Sequence, residues 1–179
     1  MTREKYHPLS VAAHWLIFGL FVVALAAIEV RGDLPKGHPW KDILRTIHMH
    51  AGQLVLWAAV LRLIFRGIWG APAEVDGAPW QQWAARGVHW ALYIVMFALP
   101  VTGILFTQAG GKEVMFFGMQ LPALVSPDQA MRDQLKELHE LIGNAVYFLV
   151  GAHVLGALWH QFVDRVPVLQ RMAFHSRKK

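Results

Sequence analysis

HELIGNAVYFLVGAHVLGALWH, residues 139–160, is the stretch whose reading decides the fold. From Leu141 to Val163 it carries no Lys, Arg, Asp or Glu. An uncharged, mostly apolar run of roughly 20 residues is long enough to cross the hydrocarbon of a bilayer as a helix. An ionisable residue inside such a helix is costly, which makes His139 and His153 functional candidates. The two are fourteen residues apart. At about 100° per residue they fall some 40° short of four full turns, so both imidazoles leave one face. At about 1.5 Å per residue they stand roughly 21 Å apart along the axis. In a core about 30 Å thick, one imidazole then lies near each surface. Two metal centres stacked across a membrane require that arrangement.

Working outward, three more segments are long and apolar enough to span, at approximately 9–28, 41–66 and 88–107. The fourth, with its polar approach, covers approximately 136–163. The expected fold is all-α: one domain, residues 1–179, forming an integral membrane four-helix bundle that runs up and down. None of the four is expected to be a cleaved signal peptide, since the first lacks a small-residue cleavage site and the others need it as a partner. Ser126-Pro127-Asp128-Gln129 reads as a helix start, with Ser126 as N-cap and Pro127 at the first position. Met131, Leu135 and Leu138 then recur at helical spacing. Residues 29–40, 67–79 and 108–125 are the connections, rich in Gly and Pro.

Composition agrees. Of 179 residues, 55% are hydrophobic and 16% charged, and the mean hydropathy of +0.35 is high for a soluble globule. Trp15, Trp57, Trp69, Trp80, Trp83, Trp90 and Trp159 suit interfacial anchoring and bundle packing better than electron relay. The chain has no cysteine, which excludes disulfides, thiolate zinc sites, iron–sulfur clusters and covalently attached haem. Its formal charge of +5 does not indicate nucleic acid, because the charges flank apolar segments instead of forming a basic stripe.

The charges instead report orientation. Ten Lys and Arg, among them Arg3, Lys5, Arg62, Arg66, Arg86, Arg165, Arg171, Arg177, Lys178 and Lys179, lie on the side of the termini, against seven opposite. The excess predicts both termini in the cytoplasm.

Depth then pairs the histidines. His14, near the cytoplasmic end of the first span, matches His153; His48, near the outer end of the second, matches His139. Neutral imidazole is a good iron ligand, and two per iron give a six-coordinate haem suited to electron transfer. Gly52 and Gly143 each follow a candidate ligand by four residues, and Gly151 and Gly156 flank His153. Small residues there would admit a flat macrocycle, although glycines also pack membrane helices together. His50 points about 200° away from His48 and is the rival for its role.

His14-Trp15, Glu29-x-Arg31-Gly32, Ile47-His48 with Gly52, Arg62-x-x-x-Arg66, Ala98-Leu99-Pro100-Val101-x-Gly103, Phe117-Gly118 and His139…His153…His160 together resemble the bacterial cytochrome b561 family. The likeness runs from Tyr6 to Arg171. Within the family it is to the members that oxidise superoxide, and more distantly to the cytochrome b subunits of nickel–iron hydrogenases and formate dehydrogenases. The resemblance implies two b haems ligated at His14, His48, His139 and His153, a quinone site, and a multi-pass place in the bacterial inner membrane.

A quinone that is reduced takes up protons, and imidazole is a suitable relay. His89 and His160, both at the cytoplasmic surface, are the expected lining of that quinone site, with Arg86 or Arg62 nearby. His7, His38 and His175 fall in terminal or loop segments and are expected to be solvated. Pro100 is expected to kink the third span. On the outer side Arg31, Lys36, Arg45, Lys112, Arg132 and Lys136 are candidates for a funnel steering a small anion such as superoxide, if the carboxylates there are sorted away from them.

The leading expectation is an oxidoreductase that takes electrons from superoxide at the outer haem and reduces ubiquinone near the inner one. The alternative is an electron-transfer subunit for a periplasmic dehydrogenase or soluble redox partner. A non-redox proton or metal transporter is a third reading, disfavoured because the spans lack paired acidic residues at mid-depth.

Overall fold

The structure is a computed structural model and describes residues 5–73 and 77–174. Arg3, His175, Arg177, Lys178 and Lys179, used above, lie outside the described residues. Four long helices dominate: α1 (Pro8–Asp33), α2 (Trp40–Trp69), α3 (Pro79–Ala109) and α4 (Gln129–Phe162). A two-stranded pair, β1 (Met115–Phe116) and β2 (Met119–Gln120), separates α3 from α4, and a short α5 (Val168–Arg171) follows. All four long helices have the length and composition to cross a membrane.

The helix ends have local causes. Pro8 and Pro79 open α1 and α3, where a missing N–H costs nothing. Gln81 Oε1 accepts the Ala78 N–H at 2.9 Å. α4 starts later than Ser126 suggests: Asp128 is the N-cap, and its carboxylate accepts the Met131 N–H at 2.8 Å. Asp128 has extended dihedrals and its own N–H goes to Ala109 O, so it ends the loop and caps the helix at once. α3 continues helically through Pro100, which is buried.

Adjacent helices pack as α1 on α2, α2 on α3, and α3 on α4. One apolar cluster joins Ile17, Val55, Ala58, Ala59 and Met96; a second joins Val95, Leu99 and Val146. Large apolar side chains such as Phe18, Val22, Trp57, Ile64, Ile94, Phe148 and Leu155 point outward, as lipid-facing residues do. Of the whole of α4 only Val146 is buried.

At one end of the bundle the start of α1 meets the segment after α4, where Trp15 Nε1 donates to Met172 O at 2.9 Å. At the opposite end the β pair forms a hairpin with Met115 across from Gln120. Phe117 (φ +47°) and Gly118 (φ +87°) make its turn, the left-handed pair that a tight hairpin of this hand needs. His50 Nε2 accepts the Phe117 N–H and Gln53 Nε2 donates to Met115 O, tying the hairpin to α2.

Candidate functional site

Two histidine pairs stand at opposite ends of the bundle. At the hairpin end, His48 of α2 faces His139 of α4 with ring centres 6.1 Å apart. At the terminal end, His14 of α1 faces His153 of α4 at 6.0 Å. Two imidazoles bonded at about 2 Å to opposite sides of one metal ion have ring centres roughly 6 Å apart. Both pairs therefore have the spacing of a bis-histidine iron site.

Ring orientation at the hairpin end is set by the surrounding backbone and a hydroxyl. His48 Nδ1 lies 2.8 Å from Ala24 O, and a carbonyl can only accept, so Nδ1 carries the proton. Thr102 Oγ1 donates to Ala98 O at 2.7 Å, which leaves its lone pairs to accept from His139 Nδ1 at 3.1 Å. Each ring thus keeps an unprotonated Nε2, the nitrogen a metal would take. Gly103 lets α3 come this close, since a Cβ there would meet His139 Cε1 at 3.3 Å. Phe106 packs on the same ring, with centres 5.4 Å apart.

His50 is differently engaged. Its Nδ1 donates to Thr46 O at 2.8 Å and its Nε2 accepts from Phe117, so both nitrogens are spent on structure. The glycines behave as a slot requires. A side chain at Gly52, Gly143, Gly151 or Gly156 would meet nothing within 4 Å, so none of these is small because a neighbouring helix presses on it. The spacing of the pairs, the free Nε2 atoms of His48 and His139 and this clearance fit a flat macrocycle that the histidine pairs would hold.

At the terminal end His89 of α3 abuts His153, with ring centres 5.3 Å apart. His160 Nδ1 lies 2.7 Å from Asp164, which also accepts from Gln81. Arg62 of α2 reaches across to Ser10 O of α1 at 2.9 Å. His7 is not simply solvated, as expected above. It caps α1 by accepting the Leu9 N–H and stacks on Trp69 at 3.9 Å. His38 likewise accepts the Trp40 N–H at the start of α2.

On the hairpin side, Arg132 pairs with Asp133 and Lys136 with Glu140, so two of the six candidate funnel cations are matched by carboxylates on their own helix. Arg31 spends its Nε on Lys41 O. Sequence reasoning missed Thr102 and the Ala24 carbonyl, and it quoted Gly103 in a motif without its role against His139. Nothing in their spacing marks them, because their roles exist only across helix contacts. It also missed the 2.7 Å bond from Tyr147 of α4 to Glu29 of α1.

The family described as prokaryotic cytochrome b561 matches residues 5–175. Cytochrome b561 homolog 1 of Escherichia coli (strain K12) is 32% identical over 170 residues, covering 94% of this chain and 97% of the relative. A protein of Yersinia pestis named probable superoxide oxidase CybB is 32% identical over 172 residues, 95% of this chain and 96% of its own length. Cytochrome b562 of Cereibacter sphaeroides is 28% identical over 182 residues, covering 96% and 98%. With four spanning helices and matches over nearly its full length, the chain belongs to the prokaryotic cytochrome b561 family, bacterial membrane electron-transfer proteins that carry b-type haem.

Proposed function

We propose that the chain is a two-haem transmembrane cytochrome of the inner membrane that oxidises superoxide at its outer face and reduces ubiquinone near its inner face. The observation that carries this reading is the pair of histidine couples, 6.0 and 6.1 Å between ring centres, at the two ends of one bundle. His48 with His139 would hold the outer haem, and His14 with His153 the inner one. When bound, each haem supplies reversible one-electron chemistry. The chain's part would be to hold the two haems at a fixed spacing between its histidine pairs.

Two superoxide anions give up one electron each and leave as dioxygen. Ubiquinone gains those two electrons and two protons and leaves as ubiquinol. Lys and Arg counts favour cytoplasmic termini, so the protons enter from that side. His89, beside His153, is suited to pass them on, and His160 with Asp164 is suited to receive them at the surface. The name of the Yersinia pestis relative supports superoxide as the donor.

The test is the purified protein in detergent. Two low-spin b haems per chain, reduced by superoxide and reoxidised by a ubiquinone analogue, are the expected result. A colourless preparation that takes up no haem overturns the reading, and haem reduction that superoxide cannot drive overturns the donor. A second reading has its own observation: Phe117, Met119 and Leu124 are each more than three-fifths exposed at the hairpin end. They would suit docking of a protein electron donor, and a second chain that copurifies would favour it.

A further inference from the structure

A small cavity opens at the terminal end between α1, α2 and α3, lined by Tyr6, Ser10, Arg62, Arg66 and Tyr93. Two of its polar atoms are shielded and unmatched. Ser10 is 4% exposed, and neither its Oγ nor the Tyr93 hydroxyl has a hydrogen-bond partner. A buried hydroxyl without a partner costs on the order of 1–3 kcal/mol, which a bound acceptor would offset. Arg62 and Arg66 stand one turn apart on α2, where like charges repel. No acidic side chain is among the described lining residues. Arg62 spends one donor on Ser10 O, and a guanidinium has five.

Two cations and two unmatched donors call for a ligand with negative oxygens; a neutral carbonyl would leave both charges uncompensated. The cavity also adjoins the inner histidine pair. Ser10 precedes His14 by four residues of α1, and Tyr93 follows His89, the neighbour of His153, by four residues of α3, about 6 Å of rise in each case.

We propose that this cavity seats an oxyanion: a propionate carboxylate of the haem held by His14 and His153, or the phosphate of a bilayer lipid. The propionate source rests on the haem reading above; the phosphate source does not. Ser10 and Tyr93 donate through their hydroxyls, and Arg62 and Arg66 supply the charge.

The experiment uses the full chain in a His139→Ala background, so that only the inner haem is read. Apoprotein is titrated with protohaem and with its dimethyl ester, and phospholipid phosphorus per chain is counted after detergent purification. With a propionate in the cavity, Tyr93→Phe and Arg66→Gln weaken protohaem binding by roughly tenfold and leave binding of the ester unchanged. With a lipid phosphate, haem binding is unchanged and about one phosphorus per chain is lost in the variants. If neither quantity moves, the proposal is overturned. If the parent takes up no haem, the haem reading and the propionate source fall together, and the phosphorus count decides alone. Tyr93→Phe removes one oxygen and keeps the ring packed against the Ile17, Val55, Ala58, Ala59 and Met96 cluster, so a fold defect does not mimic the result.

Discussion

Thr102 Oγ1 sits 3.1 Å from His139 Nδ1 and 2.7 Å from Ala98 O, and those two contacts decide which ring nitrogen is left for a metal. Thr102→Val keeps the shape and removes the acceptor. Outer partners of a metal-ligating histidine are worth roughly 10–100-fold in affinity. The variant is expected to hold its outer haem 10–100-fold more weakly, read by haem titration of the apoprotein, with the inner haem unaffected. His153→Ala should instead remove the inner haem and spare the outer one, since no residue is shared between the two pairs. Loss of both in a protein that keeps its helical circular dichroism would show that the sites are not independent. The histidines themselves could be found in the sequence because ionisable groups in apolar runs stand out. Thr102 could not, because a threonine in a membrane helix usually serves only its own backbone.

At the scale of elements, α4 carries half of each pair while burying only Val146. A helix so little packed by protein is expected to have its inner face covered by something else, and its glycines agree. Gly143→Leu is a direct probe, since a side chain there meets nothing within 4 Å. Replacing a mid-helix glycine favours the helix by roughly 0.5–1 kcal/mol, so the apoprotein should melt no earlier than the parent. The same leucine should cut haem content by about one per chain, because it occupies the room a macrocycle needs. An equal haem content in variant and parent would mean that no macrocycle lies against Gly143. The helix period and the clear charge-free runs made α1 to α4 legible in advance. The cap of α4 was misread because Ser126-Pro127 and Asp128 are both good starts; the Asp128 N–H donating to Ala109 O and its carboxylate accepting the Met131 N–H select between them.

At the scale of the whole molecule, the hairpin and the segment after α4 lie at opposite ends of the bundle, and the two pairs stand between them. The chain has no cysteine, so single cysteines report sidedness without background. Phe117→Cys, at a position 63% exposed, should react with a membrane-impermeant maleimide added to intact spheroplasts. Leu169→Cys, 43% exposed, should react only after lysis. The reverse pattern would invert the bundle and put the proposed quinone end outside. Sequence by itself determined the membrane bundle and the number of spans and singled out the four histidines as candidates, because length, apolarity and helical period act along one chain. It also indicated which histidines share a depth, since rise per residue is constant. Tertiary structure alone decided that His50 is spent on the hairpin, that His160 bonds Asp164, and that Ser10 and Tyr93 meet two arginines in one cavity. Those outcomes depend on helix rotation and on which side chains from different helices come within bonding distance, and neither is written in the spacing of residues along a single helix.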